Sequence, residues 1–338
     1  MDYQKKSLCY FPTTVLFVDD DPAFLFNIGF EMDSKIAVKT CEKPGDAIKL
    51  LEHQFTIQDL FDKSAVYWDE KTSDNIPANW VMKTDIKNLY KEAYNSNRFS
   101  LISTLVMDYS MPGLNGAKLC EILRDNPVKK IMLTGAADHP VAVELFNAGL
   151  IDHFIVKDNS KMPQQLNLAI HEAKKTYFER ASAPLIHSLP KGSSCLNDIA
   201  FWHFISHFFD AHHFFEYYIV DESGSVLFID YVGKPTWIVI KSAKEIEGLW
   251  SVAYDNEAPA DVIKALEKKE KIPFFFINED EHVPVSDWVR YLHPAIPLPN
   301  LNDYYYAIIN DQHSSYCLNQ NKLSSYKDYL EKRPVSVA

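Results

Sequence analysis

Residues 105–116, which read LVMDYSMPGLNG, decide the fold of the first half of the chain. A run over 101–107, apolar except for Ser103 and Thr104, stops at one carboxylate, Asp108, and a turn containing a proline and two glycines follows. Such a run is typical of a strand that helices cover on both faces. Asp108 is therefore predicted at the carboxyl end of a buried strand, where the loops of an open α/β sheet separate and ligands bind.

Strand and helix patterns alternate on both sides of this stretch. The predicted strands are 13–18, 36–40, 101–107, 130–133 and 154–156, and the helices that follow them are 23–32, 43–55, 117–124, 140–148 and 164–178. This alternation predicts an α/β fold, a doubly wound, flavodoxin-like sheet of five parallel strands.

Polar residues follow the predicted strands at what becomes one edge of the sheet: Asp19, Asp20, Asp108, Thr134 and Lys157. Three carboxylates in one cleft repel one another and suit a hard divalent cation, Mg²⁺ above all. A carboxylate beside Mg²⁺ can attack a phosphoryl group and form an acyl phosphate, whose charge a hydroxyl, an ammonium and the metal stabilise. Taken alone, the aspartates at 19–21 also fit a capped helix start.

Four motifs resemble the receiver domain of two-component response regulators: FVDDDP at 17–22, VMDYSMPGLNG at 106–116, IMLTGAAD at 131–138 and AGLIDHFIVKD at 148–158. The resemblance implies a CheY-like receiver with Asp108 as phosphoacceptor, Asp19, Asp20, Asp108 and the Ser110 carbonyl around Mg²⁺, and Thr134, Phe154 and Lys157 as phosphoryl-binding and switch residues. It also implies a sensor histidine kinase as partner and a phosphorylation-dependent homodimer. One departure is Asp158, where the family usually has proline after its lysine.

An insertion separates the first acids from Asp108. Asp20 and Asp108 lie 88 positions apart, so roughly 40 residues exceed what two strands and two helices require. They fall at about 56–98 and include a predicted helix over 84–94. We expect a helical extension packed on its own domain, and the alternative is a partner or dimer contact built on its aromatic residues.

The second half predicts an α+β output domain at 196–338, joined to the receiver at 1–180 by a linker at 181–195. Its clearest signal is an antiparallel meander of strands at 215–220, 225–231 and 237–241. His203 and His207 have the spacing of zinc ligands on a predicted helix, although its aromatic residues favour core or interface. Candidate small-ligand residues are Trp288, Arg290 and His293.

Composition narrows the function. The 338 residues carry a net charge of −12, which disfavours nucleic acid as a partner, and no helix-turn-helix pattern is present. Five scattered cysteines fit reduced thiols. Without an apolar run long enough for a bilayer or a signal peptide, we expect a cytoplasmic protein with no membrane contact.

The whole chain resembles the quorum-sensing response regulators of the Legionella Lqs type. We therefore predict a two-component phosphorelay regulator that controls gene expression or quorum sensing. It is not expected to be an enzyme beyond its own phosphorylation and dephosphorylation, although catalysis by the output domain stays open. The alternatives are an output domain that binds or processes a nucleotide or other small ligand, and a direct DNA-binding regulator.

Overall fold

The structure is a computed structural model, and it describes residues 6–63, 65–69, 80–84, 86–135, 138–188, 195–275, 283–310 and 322–332. Its strands are β1 Cys9–Tyr10, β2 Thr14–Val18, β3 Ala37–Cys41, β4 Ala65–Asp69, β5 Trp80–Thr84, β6 Ile102–Asp108, β7 Lys129–Thr134, β8 His153–Val156, β9 Glu216–Ile219, β10 Val226–Ile229, β11 Pro235–Ser242, β12 Lys271–Pro273, β13 Leu292–Pro294, β14 Ile296–Pro297 and β15 Tyr304–Ile309. Its α-helices are α1 Pro22–Glu31, α2 Pro44–Glu52, α3 Ile57–Lys63, α4 Gly116–Ile122, α5 His139–Asn147, α6 Met162–Ser188, α7 Ile199–Ala211, α8 Ala243–Asp255, α9 Ala260–Glu267 and α10 Tyr326–Lys332. Helices of the 3₁₀ type cover Ile86–Tyr94, Ser96–Ser100, Cys195–Asn197 and Val285–Tyr291.

The chain forms two compact units, and neither is continuous in sequence. The parallel-sheet unit contains Tyr10–Asp59, Ser96–Ala181 and Tyr326–Ala338, and the antiparallel-sheet unit contains Met1–Cys9, Leu60–Asn95 and Ser182–Ser325. The predicted boundaries at 180 and 196 treat each domain as one stretch, so they differ from these units in the insertion and in α10. The predicted linker at 181–195 begins inside α6, and its residues 189–194 lie outside the described residues.

The parallel-sheet unit confirms the predicted five-stranded sheet. All neighbours are parallel, in the order β3-β2-β6-β7-β8. Every residue of β2, β6 and β7 is buried, because helices and their apolar side chains cover both faces of the sheet. In this strand order the direction in which successive strands are added to the sheet reverses between β2 and β6, so the crevice for ligands lies at their carboxyl ends.

Local signals at the start of α1 set its position in this unit. The Asp21 side chain accepts a hydrogen bond from the Ala23 N–H at 2.9 Å, and Pro22 occupies the first turn. Both features stabilise a helix start without costing a backbone hydrogen bond. The acids at 19–21 are thus held between β2 and α1, and capping accounts for one of the three.

The last helix, α10, belongs to the parallel-sheet unit. Tyr326 is buried, its hydroxyl donates to the Lys35 carbonyl at 2.8 Å, and the Ala37 N–H donates to that hydroxyl at 3.1 Å. Its ring also packs against Phe99 at 5.1 Å between centroids. Nearly 300 residues separate Tyr326 from Lys35 in sequence, so no local pattern could reveal this contact.

The antiparallel-sheet unit contains a six-stranded sheet in the order β1-β9-β10-β11-β15-β14. The meander β9-β10-β11 is antiparallel as predicted. Strand β15 pairs antiparallel with β11, with Trp237 opposite Ile309 and Ser242 opposite Tyr304. Helix α8 begins with a capping box of Ser242 and Glu245. The antiparallel α+β architecture is confirmed.

The insertion is not helical throughout, contrary to the predicted helical extension. Residues 65–69 and 80–84 pair as the antiparallel strands β4 and β5, whereas the predicted helix over 84–94 is present as a 3₁₀ helix over Ile86–Tyr94. The aromatic and β-branched residues at 66–68 and 80–81 favour strands. The segment Leu60–Asn95 also belongs to the antiparallel-sheet unit, not to the unit it interrupts. Residues 64, 70–79 and 85 of the insertion lie outside the described residues.

Across the described residues, no helix combines the length and the apolar composition that crossing a bilayer requires.

Candidate functional site

The candidate site lies at the carboxyl ends of β2, β6, β7 and β8. Asp19, Asp20 and Asp108 each offer a carboxylate oxygen, and these oxygens lie within 4.8 Å of one another. Asp19 and Asp108 are buried, whereas Asp20 is exposed. Among the described residues, no other group of three or more histidine, cysteine, aspartate or glutamate side chains could hold a metal ion. Oxygen donors alone fit Mg²⁺ and not a soft metal.

Lys157 connects the two buried carboxylates. Its Nζ lies 2.6 Å from Asp19 Oδ2 and 2.7 Å from Asp108 Oδ1. The Lys157 backbone N–H donates to the Thr134 carbonyl at 2.9 Å, and Nζ lies 4.5 Å from the centre of the Phe24 ring. One ammonium thus neutralises charge that would otherwise be confined to a buried crevice.

Burial and ion pairing shift two pKa values here. Burial raises the pKa of Asp19 above its ordinary value and outweighs the hydrogen bonds from Lys157 and the Asp21 N–H, which act in the opposite sense. Burial lowers the pKa of Lys157, but hydrogen bonds and charge from Asp108 and Asp19 overcome it, so the net pKa is raised. Lys157 therefore stays an ammonium at neutral pH.

The loop after β6 orients Asp108. The Ser110 N–H donates to Asp108 Oδ2 at 3.0 Å, and the Ser110 hydroxyl donates to Asp138 Oδ2 at 3.4 Å. The other carboxylate oxygen of Asp108 faces Lys157. Each oxygen therefore has one donor, which fixes the rotamer of the carboxylate.

Thr134 ends β7 beside this crevice. The residue is buried, and its hydroxyl has no hydrogen-bond partner among the described residues. An unpaired buried hydroxyl costs free energy, so such a group is expected where a bound ligand supplies the missing hydrogen-bond partner. Phe154, on the neighbouring strand, is half-buried, and its ring packs edge-on against His139 at 5.2 Å and Phe146 at 6.1 Å.

Sequence reasoning missed three residues of this site: Phe24, Asp138 and Gly116. Phe24 is signalled only by its place in the first turn of α1, and Asp138 by its place four residues after Thr134. Gly116 has a steric role, because a Cβ there would lie 2.5 Å from the Asp108 carbonyl oxygen and 3.1 Å from the Tyr109 Cα. Backbone atoms on that side leave no room for a side chain.

Replacing Gly116 by alanine is expected to destabilise the chain by about 1–3 kcal/mol, since the backbone at Asp108 must move. Denaturant unfolding measures this loss. The matched control is Gly29→Ala on α1, where an added Cβ meets nothing within 4 Å, so a gain of about 0.5–1 kcal/mol is expected from helix propensity. Equal effects of the two substitutions would contradict the steric role.

The residues of the predicted output site lie on α7, on the 3₁₀ helix Val285–Tyr291 and on β13. His203 and His207 are exposed on α7, whose buried face is formed by Phe201, Trp202, Ile205 and Phe208. Trp288 is a buried core residue whose Nε1–H donates to the Val283 carbonyl at 3.2 Å. Arg290 is exposed and His293 lies in β13. A ligand for these residues stays a prediction.

Comparison with known proteins bears on both units. A family model described as the response regulator receiver domain matches residues 80–170, which include Asp108, Thr134 and Lys157. The chain carries a response regulator receiver domain. The matched range begins after Asp19 and Asp20, which the insertion separates from the remainder of the site. The parallel-sheet unit is hereafter called the receiver unit.

A solved structure of a Legionella response regulator matches nearly the whole chain. The Legionella pneumophila response regulator LqsR is similar over 97% of this chain and 96% of that chain, with a TM-score of 0.75 and 29% sequence identity. The receiver match and this likeness together support a two-component response regulator. No curated protein sequence is significantly similar.

Two further structures match parts of the chain. A receiver domain protein from Clostridium thermocellum matches 48% of this chain and 95% of that chain, at a TM-score of 0.31 and 20% identity. An adenylate cyclase from Rhodopirellula baltica matches 53% of this chain and 99% of that chain, at a TM-score of 0.37 and 19% sequence identity. Similarity this low says nothing about the activity of this chain.

Proposed function

We propose that this chain is a phosphorylation-controlled switch in which a sensor histidine kinase donates a phosphoryl group to Asp108. The carrying observation is the crevice itself, where the Lys157 ammonium pairs with Asp19 and Asp108 at 2.6 and 2.7 Å. A carboxylate poised beside a fixed cation is arranged for nucleophilic attack on an anionic group.

The donor set fits Mg²⁺. The carboxylates of Asp19, Asp20 and Asp108 and the backbone carbonyl of Ser110 are hard oxygen ligands, and the unpartnered Thr134 hydroxyl offers a donor to an incoming oxygen. When bound, the metal would neutralise charge on the transferring phosphoryl group.

The residues of this chain then divide the chemistry. An Asp108 carboxylate oxygen forms the new O–P bond while the P–N bond to the kinase histidine breaks. Lys157 pairs with a phosphoryl oxygen in place of the free carboxylate, and the Thr134 hydroxyl donates to another. Movement of Thr134 toward the phosphoryl group opens space beside β8 for Phe154, which would change the surface near His139 and Phe146.

Phosphorylation of Asp108 would shift the population between two conformations of the receiver unit rather than create a new fold. We propose that the changed surface alters dimerisation or contacts made by the antiparallel-sheet unit. Control of gene expression or quorum sensing is the proposed cellular output, supported by the family resemblance and by the likeness to LqsR.

The test is phosphorylation of the full chain by acetyl phosphate in MgCl₂, read as intact mass. One phosphoryl group is expected on the wild type, and none on Asp108→Asn or in EDTA. Asp46→Asn, an exposed aspartate of α2, is the matched control and should be phosphorylated normally. An unchanged mass in the folded wild type, or a normal gain in folded Asp108→Asn, would overturn the proposal.

A further inference from the structure

A cavity of about 320 Å³ lies in the receiver unit, away from the acid site. Its lining comes from the loop before β7, the loop before β8 and the part of α6 around Tyr177 and Arg180. These loops meet at the amino edge of the parallel sheet, whereas the phosphoacceptor lies at the carboxyl edge. The volume is at the lower end of the range for small-molecule sites.

Two consecutive lysines of β7 are buried, which is unusual because an ammonium loses its hydration there, and one of them, Lys130, lines the cavity. Lys129 is 1% exposed and Lys130 is 6% exposed. Lys129 is compensated, since its Nζ pairs with Asp152 Oδ1 at 3.1 Å. Lys129 therefore has an ordinary structural explanation.

Lys130 has no ion pair of this kind. Its Nζ donates to the Asn126 carbonyl at 3.3 Å, and no carboxylate oxygen of the described residues lies within ion-pair distance of it. Burial lowers the pKa of Lys130, and the nearby charges of Asp152 and Asp125, which act in the opposite sense, do not offset it. A buried cation facing a cavity with only a neutral partner points to an anion from outside the chain.

The charged residues that line the cavity also favour an anion. Asp152 is already occupied, because it pairs with Lys129 and Arg180 and also accepts the Lys130 N–H at 2.9 Å. Arg124 makes no ion pair with any described residue. The charged lining residues are Arg124, Asp125, Lys130, Asp152 and Arg180, a formal charge of +1 in a chain of −12. The cavity is thus locally positive on an acidic protein.

We propose that this cavity binds the carboxylate or phosphate group of a small molecule, with Lys130 and Arg124 as its cationic partners. Val128 and Leu150, both buried, line the cavity and would contact an apolar part of the ligand. The site is separate from the acid cluster and does not depend on phosphorylation of Asp108.

The test uses the full chain in EDTA, so that no divalent ion recruits anions to the acid site. Sodium phosphate and sodium hexanoate are each compared with sodium chloride at equal ionic strength, by thermal unfolding and by titration calorimetry. Phosphate, hexanoate or both should raise the unfolding temperature relative to chloride, because ligand binding to the folded state stabilises it. The two anions distinguish phosphate from carboxylate as the recognised group.

Three variants decide the assignment. Lys130→Met and Arg124→Gln should each weaken anion binding by at least about tenfold, as loss of a charge-assisted hydrogen bond predicts. Lys130→Met should not lower the unfolding temperature in chloride, since it replaces an unpaired buried charge by an apolar side chain. Arg124 is exposed, so Arg124→Gln folds normally and tests the site independently.

Lys118→Gln, an exposed lysine of α4, is the matched control and should leave anion binding unchanged. The proposal is overturned if neither anion exceeds chloride in its effect. It is also overturned if Lys130→Met and Arg124→Gln keep wild-type affinity, or if Lys118→Gln weakens binding equally.

Discussion

A fragment of residues 196–338, the output domain that the sequence predicts, is expected to be unfolded when expressed alone. The antiparallel-sheet unit also contains Met1–Cys9 and Leu60–Asn95, and the fragment lacks both. The Ile219 N–H donates to the Leu8 carbonyl at 2.8 Å, and the 3₁₀ helix Ile86–Tyr94 packs against β9. Circular dichroism and the denaturant dependence of tryptophan fluorescence measure the outcome.

The size of the loss supports this expectation. Within the missing insertion, Ile86 and Leu89 are fully buried and the Tyr90 ring packs edge-on against Trp237 at 6.0 Å. Burying an Ile or Leu side chain contributes about 1.5–3 kcal/mol, while whole domains are stable by only about 5–15 kcal/mol. Losing two such side chains and the cover of Trp237 removes a large share of that stability.

Point substitutions in the full chain separate packing from truncation artefacts. Leu89→Ala should lower the free energy of unfolding by about 2–5 kcal/mol because it leaves a cavity. Lys91→Ala, an exposed residue of the same 3₁₀ helix, should change it by no more than about 0.5 kcal/mol. A cooperative unfolding transition of the isolated 196–338 fragment would contradict the assignment of the insertion to this unit.

Replacing Lys157 by alanine is expected to destabilise the receiver unit and nearly abolish its phosphorylation. The substitution leaves the Asp19 and Asp108 carboxylates buried without their ammonium, and removing one partner of a buried ion pair costs about 3–5 kcal/mol. Transfer from acetyl phosphate should slow by at least about 10²-fold, the usual cost of losing one electrostatic stabiliser of the transition state.

Mg²⁺ distinguishes the proposed metal site from a general loss of folding. A divalent cation would supply the charge that the variant lacks, so MgCl₂ should raise the unfolding temperature of Lys157→Ala more than that of the wild type. Lys161→Ala, an exposed neighbour in sequence, should behave as wild type in both assays. An equal Mg²⁺ effect on wild type and Lys157→Ala would count against a metal among these carboxylates.

The interleaved topology constrains any account of signalling. The chain passes between the two units at 9–10, 59–60, 95–96, 181–182 and 325–326. The insertion leaves the receiver unit between β3 and β6 and returns before β6, the strand that carries Asp108. The antiparallel-sheet unit is therefore not a module on a single linker, and an excised fragment of it is a poor probe of its function.

The predicted sheet of the receiver unit and most of its site required only the sequence. Apolar runs of five to seven residues mark β2 and β6 because helices bury both faces. Parallel strands bring their carboxyl ends to one edge, so residues following distant strands, such as Asp19, Asp108 and Lys157, must meet. Strands β4 and β5 could not be predicted as securely, because their short apolar runs fit helix and strand equally.

By itself, the sequence determined the fold class of both halves and the acid, hydroxyl and lysine set around Asp108, since the apolar period of each element and the order of elements along the chain are local properties. Only the tertiary structure showed which unit Leu60–Asn95 and α10 belong to. It alone also showed that the Thr134 hydroxyl has no partner among the described residues and that buried Lys130 has only the Asn126 carbonyl as hydrogen-bond acceptor. These depend on contacts between residues far apart in the chain, such as Tyr90 with Trp237 and Tyr326 with Lys35. Side-chain packing selects such contacts, and no period in the sequence encodes them.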